Sequence, residues 1–175
     1  VCITNWEIKV SQNRQILDEI AGRIQDLVRA ETSVVALAES EGEILHYAAA
    51  MGKHAAGIIG KRGAIATSGL CGVVFQQKQP VLVDRPLFDR RVRQDLVKAL
   101  GIQTALAVPL AREDELLGAL MVLNRVDGGL FDEQAEQILV AYASQAAALV
   151  RQFKSEGATG STRQSPGFSQ FPLLG

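Results

Sequence analysis

Few residues in this sequence have the types and spacing that chemistry needs. One of its two cysteines, Cys71, sits in the stretch TSGLCGVVF (67–75), between Leu70 and Gly72. A cysteine attacks only as a thiolate, and a neighbouring cation or imidazole is what lowers its pKa. The two histidines, His46 and His54, are elsewhere in the sequence, and Cys2 lies at the far end. The reading adopted for Cys71 is a compact buried hydrophobe with an inert sulfur. A second candidate is GIIGKRG (57–63), which superficially suggests a phosphate loop. It lacks the four-residue spacer, and Arg62 stands where a serine or threonine would follow the lysine. It reads as a basic loop, or as a looser anion site if Lys61 or Arg62 meets amides opening a helix at Ser68 to Leu70. A third group is Arg90, Arg91 and Arg93. These can reach an anionic ligand, or be neutralised on a solvated face by Asp84, Asp89 and Asp95. There is no CxxC, no HExxH and no Ser-His-Asp spacing. No metal is expected, and the pattern points to binding rather than catalysis.

Composition narrows the class. The 175 residues suffice for one domain with a proper core, and 47% hydrophobic with 21% charged residues is ordinary for a globular chain. A net charge of −1 gives no general attraction to nucleic acid or an anionic membrane. No apolar run is long enough to span a bilayer. The opening VCITNWEIKV lacks the basic end and apolar run of a secretory signal. Without an initiator Met it reads as a fragment or a processed form, and a reducing cytoplasm is the expected compartment.

The elements that must position these residues follow from periodicity. In residues 5–30, Val10, Leu17, Ile20, Ile24 and Leu27 recur at three- and four-residue steps, which predicts one long helix with Asn13 in its stripe. Two β-prone runs joined at Glu41-Gly42 predict a hairpin with strands near 33–40 and 43–50. Residues 52–69 read as a loop with short helical pieces. A short helix is expected over 70–77, with Pro80 blocking its continuation and a brief strand after it. PLFDRRVRQDLVKALGI predicts a second short helix, with Asp89 as N-cap, Val92, Leu96, Val97 and Leu100 facing inward, and Gly101 as the stop. A hairpin turning at Arg112 to Asp114 joins two nearly all-apolar strands, as for central strands covered on both faces. The closing helix starts acidic at Asp132, Glu133 and Glu136 and ends basic at Arg151 and Lys154, which suits the helix dipole. Strands in antiparallel pairs with helices at both ends make the fold α+β.

Taken in order, GLCGVVFQQKQPVLVD, an Asp-containing helix, GIQTALAVPL, ELLGALMVLNR and Phe131 opening the last helix resemble the GAF domain, a small-molecule sensor family. The likeness covers about residues 11–153. It implies a central antiparallel sheet with the N- and C-terminal helices on one face and short helices roofing a pocket on the other. On that plan the expected pocket residues are His46, Leu70, Cys71, Val73, Arg91, Val92, Asp95 and Leu96, around a small molecule whose identity is left open. Phytochrome-like members attach a bilin through a cysteine on the helix before the TALAVPL strand. Here that helix, DRRVRQDLVKAL, has neither cysteine nor histidine, so a covalent bilin is not expected. GLCG is similar to a stretch of the free-methionine-sulfoxide reductases, with Cys71 matching one redox cysteine. The region of the attacking cysteine, FDRRVRQD, has none, and this remains a third reading. Cyclic-nucleotide-binding members carry an Asn-Lys-Phe-Asp-Glu signature. Asn124, Arg125, Phe131 and Glu136 partly match it, but Ala135 stands in the aspartate's place, so cyclic nucleotide stays open as a ligand without support from the signature.

The resulting division is an extension or start of helix at 1–10, a GAF-like domain at 11–153 and a flexible Gly/Ser-rich tail at 154–175. The leading expectation is a non-enzymatic sensory or regulatory module that signals through its terminal helices. A protein-interaction domain with a vestigial pocket is the alternative. Leu17, Ile20, Ile24 and Leu27, with Leu139, Tyr142, Ala146 and Leu149, are expected to build a helical bundle in a homodimer or against another protein. The alternative packs both stripes on the sheet. The tail ends in Phe168, Phe171, Pro172, Leu173 and Leu174, either a docking segment or an idle terminus.

Overall fold

The computed structural model describes residues 5–39 and 42–156. The N-terminal helical stretch is two helices, α1 (Asn5–Gln12) and α2 (Arg14–Leu27), rather than one helix through residue 30. They part at Asn13, whose side-chain amide donates at 2.9 Å to the Lys9 carbonyl, the same carbonyl that accepts its backbone N–H at 3.1 Å. The chain leaves the helix where Arg29 takes φ +54°, and β1 (Ala30–Glu39) begins at once. β2 (Ile44–Gly52) returns antiparallel to it.

The segment expected to be loop contains two 3₁₀ turns, Ala55–Gly57 and Ile65–Thr67, and also an unforeseen strand, β3 (Arg62–Ala64). β3 pairs with Ile44, Leu45 and His46 at the sheet edge, and three residues are too few to show an alternation in sequence. Then come α3 (Gly69–Gln77), β4 (Val81–Val83), a 3₁₀ turn Pro86–Phe88, α4 (Gln94–Leu100), β5 (Ala105–Arg112), β6 (Glu115–Arg125) and α5 (Glu133–Glu156). Asp89 does not cap α4. Its carboxylate instead accepts the Arg91 amide at 2.9 Å and closes a local turn, which delays α4 to Gln94. Gly101, at φ +62°, ends α4 as expected. At α5 the Asp132 carboxylate accepts the Ala135 amide at 2.9 Å, an N-cap that satisfies one of the free first-turn donors.

The sheet has six strands in the order β3-β2-β1-β6-β5-β4, every pair antiparallel. Period-two alternation gives it two faces and two cores. Val35, Leu37, Leu106, Val108, Leu120 and Val122 meet α2 and α5, while Ala36, Leu45, Ala105, Ala107, Ala119 and Leu123 meet α3 and α4. Two bulges shift the phase: Ala48 on β2 and Leu117 on β6 are extra residues in their pairings, and both stay on the α2/α5 side.

The helical stripes are consumed by this sheet. Leu17, Ile20, Ile24, Leu139 and Ala146 are at most 1% exposed within the chain, so they are core residues and not a free bundle face. Leu27 and Leu149 stay exposed, and Tyr142 is half-buried. α5 runs on to Glu156, past the expected domain edge at 153. The apolar end of the tail and Cys2 fall outside the described residues. Among the described residues no helix is long and apolar enough to cross a membrane.

Candidate functional site

On the α3/α4 side of the sheet lies an open recess of about 790 Å³. Its floor is Tyr47, Ala105, Met121 and Leu123 from the central strands, and Leu70, Val92, Leu96, Leu100 and Ile102 roof it. The floor follows from alternation: Met121 and Leu123 take the face that Leu120 and Val122 do not. Its size and mainly apolar wall are those of a small-molecule site.

The polar groups gather at one side. Lys61, Arg62, Thr67, Ser68, Gly69, Arg93 and Asp95 all border the recess. The basic loop and the first residues of α3 therefore do come together, as the looser anion-site reading requires. Lys61 is exposed, and no carboxylate pairs with it among the described residues. Arg62 is held by Glu7 at 3.1 Å and Glu39 at 2.9 Å. Arg93 pairs with Asp95 at 2.7 Å, an interaction that raises the arginine's pKa and lowers the aspartate's. The Arg93 side chain lies against Gly69, where a β-carbon would stand 3.2 Å from its Cγ. Tyr47 donates its hydroxyl to the Ser68 carbonyl at 3.0 Å, tying the floor to the start of α3, and burial raises its pKa.

Four of the eight expected pocket residues line the recess: Leu70, Val92, Asp95 and Leu96. The other four do not. His46 points to the opposite face, because it alternates with Leu45 and Tyr47, and there its Nδ1 accepts the Trp6 indole N–H at 3.1 Å. Arg91 turns outward to Asp89 at 2.5 Å, and Arg93 stands at the recess in its place. Val73 packs in the roof's core. Cys71 is fully buried behind Met121, its Sγ 3.8 Å from the methionine sulfur. Burial without a charged partner pushes its pKa up to about 12, the opposite of an activated thiol. Sequence reasoning missed Tyr47, Met121 and Leu123, whose signal was the same alternation that marked the strands.

The partial cyclic-nucleotide signature lies away from the recess. Asn124, at φ +56°, accepts the Gln103 and Thr104 amides at 2.7 and 3.3 Å and donates to Glu31 and the Gly101 carbonyl. Arg125 pairs with Asp127 at 2.6 Å, which supplies the carboxylate that Ala135 lacks. Phe131 is buried in the α2/α5 core. These residues knit the ends of β1, β6 and α4 together.

Known proteins agree with this architecture. No curated protein matches the chain in sequence. Among solved structures, the GAF domain/HD domain protein of Geobacter sulfurreducens superposes with a TM-score of 0.71 at 17% identity, over 83% of this chain and 96% of that one. The second GAF domain of DevS from Mycobacterium smegmatis gives 0.66 at 19%, over 83% and 98%. A type II free methionine-R-sulfoxide reductase from Thermoplasma acidophilum gives 0.66 at 15%, over 83% and 96%. At such identities they establish the fold and leave chemistry to the residues. The GAF domain sequence profile matches residues 12–150, and with the same antiparallel sheet, helical back and roofed recess in place, the chain belongs to the GAF domain family of sensory and regulatory modules.

Proposed function

We propose that this GAF domain is a non-enzymatic sensory module that binds a small molecule in the recess and passes the event on through its terminal helices. The observation that carries the reading is the recess itself: an apolar floor and roof closed on one side by Lys61, Arg93 and the start of α3. That arrangement suits a small, largely apolar molecule bearing an anionic group, its charge toward Lys61 and its body over Met121 and Leu123. A thiol-reductase mechanism is disfavoured, since Cys71 has no resolving thiol or imidazole among the described residues and its pKa is raised. Native mass spectrometry of the gently purified chain, with thermal-shift screening of small carboxylates and phosphates, tests this. A retained or stabilising anion is expected, and Lys61→Glu should weaken it. A chain that carries nothing and that no compound stabilises argues against the sensor.

The second reading, a protein-interaction module, is favoured by one observation. The outward face of α5 carries no charge over residues 137–150, which is unusual for a solvated helix.

A further inference from the structure

Among the described residues the most exposed large apolar side chain is Phe88, 86% open to solvent, and Leu87 beside it is 57% open. They tip the 3₁₀ turn Pro86–Phe88, between β4 and α4, and neither belongs to either core. The turn is fixed from inside. Pro86 is buried and sets its first φ. The Phe88 amide donates to the Arg85 carbonyl at 3.1 Å, and the Asp89 amide to the Pro86 carbonyl at 3.2 Å. The Gln94 side-chain amide donates to the Pro86 and Asp89 carbonyls at 2.8 and 2.9 Å, bolting the turn to the first residue of α4. None of these bonds needs an apolar side chain at 87 or 88. Exposed apolar residues scattered singly call for no explanation, but two in succession on a fixed, projecting turn do.

The charges around the tip say what it meets. Residues 84–98 hold five cations and three carboxylates, in a chain of net charge −1. Arg91 pairs with Asp89 and Arg93 with Asp95. That leaves Arg85, Arg90 and Lys98 against Asp84, all four exposed and in no ion pair among the described residues. Arg85 and Arg90 bracket the tip, and Lys98 lies one helical turn beyond Gln94, on the side of α4 that holds the turn. The acidic start of α5, at Asp132, Glu133 and Glu136, lies on the other face of the sheet. Its neighbours Phe131 and Ala135 belong to the α2/α5 core, whereas Val92 and Val97 belong to the roof. An apolar tip with unpaired cations at its foot matches the layering of an anionic lipid surface, acyl chains beneath phosphates. The backbone agrees. The amides of Phe88 and Asp89 and the carbonyls of Arg85 and Pro86 are already bonded within the turn, as entry into an apolar layer demands and a protein pocket does not.

We propose that the Leu87–Phe88 tip inserts into the interface of an anionic phospholipid layer, with Arg85, Arg90 and Lys98 on its headgroup phosphates. The proposal goes beyond the recess reading and does not rest on it. Two apolar side chains and three cations make a weak, reversible and salt-sensitive contact, not an anchor.

The test is sedimentation of the full chain with vesicles of phosphatidylcholine alone, or with about one third phosphatidylserine, in low and in high salt. Retention is expected on the anionic vesicles in low salt, and little in high salt or on phosphatidylcholine alone. Leu87→Ser with Phe88→Ser, and separately Arg85→Glu with Arg90→Glu, should each cut retention about tenfold. All four side chains are exposed, so the urea midpoints should stay at the wild-type value. Insertion is read with an environment-sensitive dye on Phe88→Cys in a Cys2→Ser background, where buried Cys71 stays unlabelled. Its emission should move to the blue on anionic vesicles. The same dye on Asp114→Cys, in the β5–β6 turn at the opposite end of the sheet, should not move. A chain that stays in solution with both vesicles overturns the proposal and returns the tip to a protein partner. Retention as strong on phosphatidylcholine alone, retention that the double serine variant leaves intact, or an equal dye shift at 114 overturns it too.

Discussion

His46 makes a prediction whose size follows from its surroundings. It is 7% exposed, and its Nδ1 accepts the indole N–H of Trp6, so its proton must reside on Nε2. Burial first, and then the nearby Arg62 and Arg14, push its pKa down from 6.5 to about 4, with Glu7 opposing. Trp6 itself is also held by Lys154, whose ammonium lies over its ring, 5.1 Å from the centre. The sign is that of a depressed histidine. Above pH 6.5 folded and unfolded chains are both neutral at this site, and stability does not depend on it. As pH falls toward 4, the unfolded chain takes up a proton that the folded one refuses, and stability is lost. At about 1.4 kcal/mol per pH unit, the gap between 6.5 and about 4 comes to about 3 kcal/mol, after which the loss stops growing. The chain's one tryptophan is the probe, since it sits on the titrating ring. Urea unfolding followed by Trp6 fluorescence at stepped pH, in the wild type and in His46→Gln, isolates the effect. Glutamine keeps an acceptor for the indole and does not titrate. The wild type should lose about 3 kcal/mol more than the variant between pH 7 and 4. Parallel pH profiles for the two would refute the assignment of this stability to His46.

Three further outcomes follow from close packing. Gly118 and Gly22 should respond to alanine with opposite signs: a β-carbon at 118 would stand 2.0 Å from the Ala36 carbonyl oxygen and cost about 3 kcal/mol or more. One at 22 meets nothing within 4 Å on α2 and should stabilise by about 0.5–1 kcal/mol, both readable as shifts in urea midpoint. Native Cys71 should resist maleimide and iodoacetamide until the chain unfolds; Cys71→Ala should cost about 1 kcal/mol and Cys71→Ser more, for a hydroxyl buried against a thioether. Asn124→Ala should cost about 2–4 kcal/mol, by orphaning the Gln103 and Thr104 amides and removing the side-chain amide that lets asparagine tolerate φ +56° better than alanine. Asn124→Gly should recover only the backbone share, about 1 kcal/mol.

Much of the fold was legible because burial writes itself in periods. The three-four spacing of Leu17, Ile20 and Ile24 marked α2, and the apolar runs around Val108 and Leu120 marked strands covered on both faces. What escaped were places where a local bond overrules the period. At Asn13 the side-chain amide shares the Lys9 carbonyl and the helix divides, although the buried stripe runs on from Val10 to Leu17. The Asp89 carboxylate spends itself on Arg91 and shifts the start of α4, and β3 owes its existence to an edge partner that no local pattern announces. The same limit governed the amphipathic stripes. Periodicity shows that a face is apolar, but not whether a sheet or another chain will cover it.

The recess was half legible for a related reason. Residues of the roof were found because helical spacing says which side faces in, and Leu70 and Leu96 do, while Val92 faces in from the bend before α4. On the strands the decision between faces hangs on phase, and a single bulge reverses it. His46 was assigned to the recess, yet Leu45 and Tyr47 occupy that face, while the extra residue at Ala48 keeps both Ala48 and Ala49 on the helical side. The consequence is mechanical as well as interpretive. Because neighbours along β6 serve opposite faces, Met121 and Leu123 beneath the recess are one peptide unit away from Leu120 and Val122, which touch the helical core. Under the proposed function, a ligand that moved the Met121 side chain and its backbone would act on the core beneath α2 and α5 through a single layer of sheet. A close-packed interior transmits strain rather than absorbing it on one face, and this is the physical reason the proposed function assigns the output of the recess to the terminal helices.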